Sequence, residues 1–115
     1  MPAPIVFFDI AGPDAAKQAA FYRAVFDWDI GADGRFTAPA AAALPGTLRA
    51  DPADKVIYVG VEDIAATLAK IVTNGGQVIA PRFEVKGVVV LGLFTDPAGN
   101  RLGLVEMANG RPKVP

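Results

Sequence analysis

Three residue types are missing from this 115-residue chain: cysteine, histidine and serine. Without cysteine there can be no disulfide, zinc–thiolate site, iron–sulfur cluster or thiol catalysis. Without histidine, every Ser-His and Cys-His catalytic arrangement is gone, together with the commonest transition-metal ligand. Without serine there is no serine nucleophile. Charge of one sign is also lacking: eleven basic and twelve acidic residues leave a net charge of −1. No basic cluster occurs, so there is no electrostatic footprint for nucleic acid or for an anionic membrane. No apolar run approaches the roughly 20 residues that span a bilayer. The opening "MPAPIVFFDI" lacks the basic segment and long apolar stretch of a signal peptide. A soluble cytoplasmic protein is the expectation.

What is present points to a packed domain. Hydrophobic residues make up 52% of the chain, which argues against disorder. The length suits one ordinary domain with its own core. Little net charge on so apolar a chain favours self-association.

The chain alternates strand-like and helix-like runs. "IVFFDI" (5–10) reads as a strand. Gly12-Pro13-Asp14 breaks it and opens a helix over "AAKQAAFYRAVFDW", with Phe21/Val25 and Tyr22/Phe26 at helical spacing. "WDI" (28–30) is expected to start a strand, with a hairpin around Asp33-Gly34. Residues 41–54 hold two prolines and few strand formers, and read as a weak strand or loop. "KVIYVGV" (55–61) is a strand. Asp63 is a candidate N-cap for a helix whose stripe is Ile64, Leu68, Ile71 and Val72, ended by Gly75-Gly76. "QVIAP" and "RFEVKG" read as two short strands. "VVVLGLFT" (88–95) and "NRLGLVEM" (100–107) are longer strands joined by Asp-Pro-Ala-Gly-Asn. The end of the chain, 109–115, reads as a flexible tail.

The order β-α-β-β-β therefore occurs twice, and a shift of 49 residues lays Phe7 on Val56 and Trp28 on Gln77. The expected fold class is α+β. Two tandem βαβββ modules (about 4–52 and 55–108) form a curved, mostly antiparallel sheet with a concave cup and helices outside. The whole of 1–115 is expected to be a single domain, since neither half has enough core alone.

Four motifs, "FFDIAGPDAAKQAAFYRAVFDW", "YVGVEDIAATLAKI", "NGGQVIAP" and "FTDPAGNRLGLVE", cover nearly the whole chain. In order and spacing the chain resembles the vicinal oxygen chelate superfamily of glyoxalase I, bleomycin-resistance proteins and extradiol dioxygenases, and in particular small bacterial glyoxalase-like proteins. The resemblance implies paired βαβββ modules, often assembled as dimers, so a homodimer is expected. It also implies where metal-dependent members carry their ligands. Those positions fall here on Phe7, Val56 and Gly103, and the fourth ligand would come from residues 35–50, which contain no Asp, Glu or His. No metal and no other cofactor is therefore expected. Asp9 and Glu106 are the carboxylates considered as substitutes.

Strand alternation gives the inner list. Ile5, Phe7 and Asp9 share one parity, as do Val56, Tyr58 and Gly60, and as do Arg101, Gly103 and Val105. Val6, Phe8, Ile10, Ile57, Val59, Val61, Leu102 and Leu104 are expected beneath the helices, and Glu106 shares their side. The candidate ligand-binding residues are Phe7, Asp9, Val56, Tyr58, Arg101 and Gly103, apolar walls with a few placed polar groups. Three functions fit. One is a metal-free binder of a small, partly apolar molecule, like the resistance proteins of the family. Another is a metal-independent lyase or isomerase using Asp9 as base with Tyr58 or Arg101. The third is a structural or regulatory dimer whose cup is filled by its own side chains.

Overall fold

The computed structural model describes residues 2–38 and 44–115. These contain eight strands and two helices, an α+β architecture with both parallel and antiparallel strand pairs. Two compact units form. One is Phe7–Ile57; the other joins the N-terminal residues through Val6 to Tyr58–Pro115.

In the first unit, β1 (Ile5–Gly12) runs parallel to β3 (Leu44–Ala50), which pairs antiparallel with β2 (Arg35–Ala38). Helix α1 (Ala15–Phe26) starts where Asp14 takes an extended conformation and its carboxylate accepts the Lys17 N–H at 3.0 Å. This satisfies one of the donors left open at a helix start. Pro13 sits just before that cap. The helix ends at Asp27, whose φ of 57° is left-handed and whose N–H donates to the Arg23 carbonyl. Ala19, Ile30, Phe36 and Leu48 are buried together, with Phe8, Ile10, Tyr22 and Trp28 packed on them. Phe8 and Ile10 thus lie on the helix side of β1, as their parity predicts. Trp28 stacks on Tyr22 and on Phe36, each at 5.2 Å between ring centroids. Phe26, from the last turn of the helix, lies 5.5 Å from it as well.

"WDI" does not form the expected strand. The Ile30 carbonyl is taken by the Arg23 guanidinium, with Nη2 at 2.6 Å and Nε at 3.2 Å. A side chain from the helix therefore satisfies a group that a ladder would otherwise use. Four residues later the chain turns at Asp33-Gly34, as expected. Gly34 has φ +82°, and a Cβ there would collide with the Leu48 carbonyl, so only glycine fits. The first unit is accordingly βαββ among the described residues. Of the segment read as weak strand or loop, Leu44–Ala50 is strand β3, and 41–43 lie outside the described residues.

The second unit keeps the full pattern. β4 (Asp54–Val61), whose residues through Ile57 belong to the first unit, runs parallel to β7 (Arg101–Ala108) from Tyr58 on; β7 pairs antiparallel with β6 (Val89–Thr95), and β6 with β5 (Gln77–Val85). The N-terminal segment is tied in by Gly60 N–H donating to the Pro4 carbonyl at 2.9 Å. Helix α2 (Ile64–Thr73) is capped by Asp63, which accepts the Ala66 N–H at 2.9 Å. Ile64, Leu68, Val90 and Leu104 form its core, with Val59, Val61, Ile71 and Phe94 against it. Each fully buried aliphatic side chain of this kind contributes about 1.5–3 kcal/mol. Gly75, at φ +95°, turns the chain out of the helix.

Two sequence expectations change here. "QVIAP" and "RFEVKG" are one strand, not two. β5 absorbs Pro81 through register shifts between Val78 and Ala80 and between Ala80 and Phe83, which is how a strand tolerates a residue without an N–H. The tail is also held. β8 (Arg111–Pro112) pairs with β7, and the Lys113 N–H donates to the Glu106 carbonyl at 2.8 Å. No helix among the described residues is long and apolar enough to cross a membrane.

Candidate functional site

Two carboxylates, Asp9 (2% exposed) and Glu106 (6%), are the buried charged groups among the described residues. Burying a charge is costly unless it is paired and hydrogen-bonded, and each has an arginine.

Asp9 lies on β1, on the face away from α1. The parallel register sets it beside Thr47 and sets Ala11 beside Arg49, so Arg49 rises on the same face one step along. Arg49 Nε is 3.1 Å from Asp9 Oδ2, and its Nη2 donates to Oδ1 at 3.3 Å. The third nitrogen, Nη1, donates to Asp51 Oδ2 at 2.6 Å. Asp51 is itself about half exposed. A buried carboxylate thus holds one edge of the guanidinium, through a hydrogen bond from Nη2 and an ion pair at Nε that lies outside hydrogen-bond geometry, and an exposed carboxylate holds the other. Phe7, half-buried, shares this parity, and Val56, buried, belongs to the same unit.

In the second unit the register pairs Tyr58 with Gly103. The Tyr58 ring lies over Gly103, where a Cβ would collide with it. Gly60 is closed in by Val6 and Met107 in the same way. Arg101, opposite Thr95 at the start of β7, is exposed. Of the expected site residues, Tyr58 and Gly103 are thus brought together within this unit.

Glu106 stands at the other face of β7, the helix side, as its parity predicts. Arg82 grips it with Nε at 3.1 Å from both oxygens and Nη2 at 2.7 Å from Oε2. The Ile64 N–H, at the start of α2, lies 3.4 Å from Oε1, and Lys113 Nζ lies 3.7 Å from Oε2. The Arg82 hydrogen bonds hold the Glu106 carboxyl below the usual carboxylate range, against the opposing pull of burial. The Asp-Pro-Ala-Gly-Asn turn is architectural. Asp96 accepts the Ala98 and Asn100 N–H groups and the Asn100 side-chain amide, and these bonds, the Asn100 side chain foremost, lower its pKa.

Arg49, Asp51, Arg82 and Lys113 carry the charge chemistry of both centres, and none was among the residues singled out in the sequence. Arg49 is 40 residues from Asp9, so only the β1–β3 register brings them together. Arg82 follows the Pro81 irregularity, where alternation is lost.

The donor set does not fit the metal centre of the metal-dependent members. Phe7, Val56 and Gly103 offer no ligand atoms, and among the described residues no three His, Cys, Asp or Glu side chains come together. Asp9 and Glu106 each face a guanidinium, which opposes a cation at the same oxygens.

A family model described as a glyoxalase-like domain matches residues 5–105. The anthracycline biosynthesis protein DnrV of Streptomyces peucetius is 30% identical, over 85% of this chain and 45% of its own length. DauV of Streptomyces sp. strain C5 is 29% identical over the same shares. The chain thus spans less than half the length of the curated relatives it matches. Among solved structures, a Streptomyces coelicolor methylmalonyl-CoA epimerase variant superposes with TM-score 0.65 at 18% identity, over all of both chains. A methylmalonyl-CoA epimerase bound to methylmalonyl-CoA gives TM-score 0.66 at 18% identity, over 98% of this chain and all of that one. The βαβββ pattern, the Asp-Pro-Ala-Gly-Asn turn, the match over 5–105 and these superpositions agree: the chain belongs to the glyoxalase-like family of the vicinal oxygen chelate superfamily.

Proposed function

We propose that this protein is a metal-free, binding member of its family that takes up a small, partly apolar molecule bearing a carboxylate or carbonyl oxygen, and that it works in the cytoplasm as a homodimer. The observation that carries the reading is the asymmetric grip on Arg49. Its Nε and Nη2 edge is fixed by Asp9, which is 2% exposed. Its Nη1 is held by Asp51, on an exposed side chain. An exposed pair of this sort contributes about 0–1 kcal/mol. A ligand oxygen can therefore replace Asp51 at little cost, while Asp9 keeps the guanidinium aimed. Phe7, on the same parity, and Val56 of the same unit supply apolar surface of the kind that lines small-molecule sites. In the second unit the Tyr58 ring is buried against Gly103. Exposed Arg101 is the weakest member of the set.

The lyase or isomerase alternative gains less support. Both Asp9 oxygens are engaged by Arg49, so a base at this position would first have to give up its partner. Native mass spectrometry of gently purified protein tests the binding reading, followed by titration calorimetry with small aromatic and aliphatic carboxylates. Wild type is expected to carry or bind such a molecule, and Arg49→Gln is expected to bind it at least tenfold more weakly. Equal binding by the two proteins moves the site elsewhere, and no binding by wild type across the panel overturns the reading.

A further inference from the structure

β5 has one neighbour. Among the described residues it pairs with β6 along one edge and with no strand along the other. It is nine residues long, and all but Ala80 are exposed. An exposed edge of this length is a template for another strand, and proteins blunt such edges when pairing is unwanted. The first half of β5 is blunted by Pro81 and its register shifts. The second half is not: Phe83, Glu84 and Val85 hold regular register with Leu91, Val90 and Val89.

Parity sorts the chemistry of this half. Glu84 is opposite Val90, a core residue under α2. Arg82 shares that face, since its Nη2 lies 3.9 Å from Glu84 Oε2 and it grips Glu106. Phe83 (38% exposed) and Val85 (39%) point the other way. Place a second copy antiparallel along the free edge, with the two-fold axis at Phe83. Arg82 then stands opposite Glu84 of the partner, and Glu84 opposite its Arg82. On the other face Phe83 meets its own equivalent, and Val85 meets Pro81. Two ion pairs lie on one face and a continuous apolar strip on the other. The segment is complementary to itself, as an isologous interface requires.

We infer that the 82–85 half of β5 is the self-pairing edge of the homodimer, joined antiparallel about Phe83 to a second copy of this chain. The inference rests on the homodimer reading and names its interface.

The lack of cysteine makes the register directly testable. Cα atoms directly opposite each other across antiparallel strands are about 4.5–5.5 Å apart, within the roughly 4.4–6.8 Å that a disulfide spans. Phe83→Cys should therefore form an intermolecular disulfide under mild oxidation. Val72→Cys, equally free on α2 (55% exposed in the wild type), should not. Glu84→Lys sets like charges opposite each other twice. It should raise the dimer dissociation constant about tenfold in sedimentation equilibrium, with an unchanged circular dichroism spectrum. A wild-type dimer in which Phe83→Cys gives no more cross-link than Val72→Cys overturns the edge interface and leaves the homodimer standing. A wild type that stays monomeric, or pairs only with a foreign chain, overturns both.

Discussion

Glu106 shows how one residue ties several elements together. It sits on β7, accepts from Arg82 on β5, approaches the first N–H of α2 and is reached by Lys113 beyond β8. Glu106→Gln keeps the shape but removes the charge that Arg82 and Lys113 need. We expect a loss of about 2 kcal/mol at neutral pH in urea unfolding, reduced from the cost of breaking a fully buried pair because Arg82 is about one-third exposed. The folded-state pKa lies below the ordinary value of 4.5. The unfolded chain therefore binds the proton first as pH falls. The stabilisation is complete above about pH 4.5 and is lost as pH drops through the folded value. The gap between wild type and Glu106→Gln should close over that acid range, and a gap constant down to pH 2–3, well below the ordinary carboxylate range, would show the charge to be irrelevant. Gly103 poses a different question at the same scale. It reads in the sequence as room for a ligand, and in the structure the Tyr58 ring occupies that room. Gly103→Ala should cost about 1–3 kcal/mol by overpacking. An unchanged melting temperature would mean the ring moves aside freely.

Elements with local signals were legible. Asp14 and Asp63 stand where helices must begin, and both cap them through a backbone N–H three residues on. Asp63→Ala should destabilise the protein by about 1 kcal/mol in thermal or urea unfolding, since one helix donor loses its acceptor. A change under a few tenths would show that neighbouring groups or water replace it. Parity held for Phe8, Ile10, Val59, Val61 and Leu104, which pack on the helix side, but not for Ile57, which is 44% exposed, or for Val6, which packs against Gly60. What was missed depends on contacts distant in sequence. "WDI" has strand composition, yet Arg23 takes the carbonyl of Ile30 and Trp28 fits between Tyr22 and Phe36. The tail 109–115 is polar and rich in Gly and Pro, yet β8 pairs with β7 and Lys113 binds Glu106. Of the candidate site, Asp9 could be placed on the face away from the helix by alternation. Its partner Arg49 could not, because nothing local in "GTLRAD" reveals the register of β3 on β1.

At the scale of the whole chain, the family's chemistry and the chain's own residues part company over the metal. Glyoxalase-type and dioxygenase-type reactions use a Lewis acid to stabilise an enediolate or to activate oxygen, worth several kcal/mol in the transition state. At about 1.4 kcal/mol per factor of ten, losing that term leaves little rate. The chain has twelve carboxylates, but the two that are buried among the described residues are each committed to an arginine, Asp9 to Arg49 and Glu106 to Arg82. A divalent cation would have to displace a guanidinium at either one. Apolar Phe7 and Val56 stand where the resemblance places two family ligands, and such surfaces cannot exchange for the water of a hydrated ion. We therefore predict that protein dialysed without chelator holds far less than one Ni²⁺, Zn²⁺, Mn²⁺ or Fe²⁺ per chain by elemental analysis. Adding Ni²⁺ or Zn²⁺ should leave the melting temperature where it was. A specific site would behave differently, because a ligand at a hundred times its dissociation constant stabilises the folded state by about 2.7 kcal/mol, a shift easily read in a melting curve. Stoichiometric metal that disappears in Asp9→Asn or Glu106→Gln would place a cation on those carboxylates and return the metal-assisted reactions of the family to this chain.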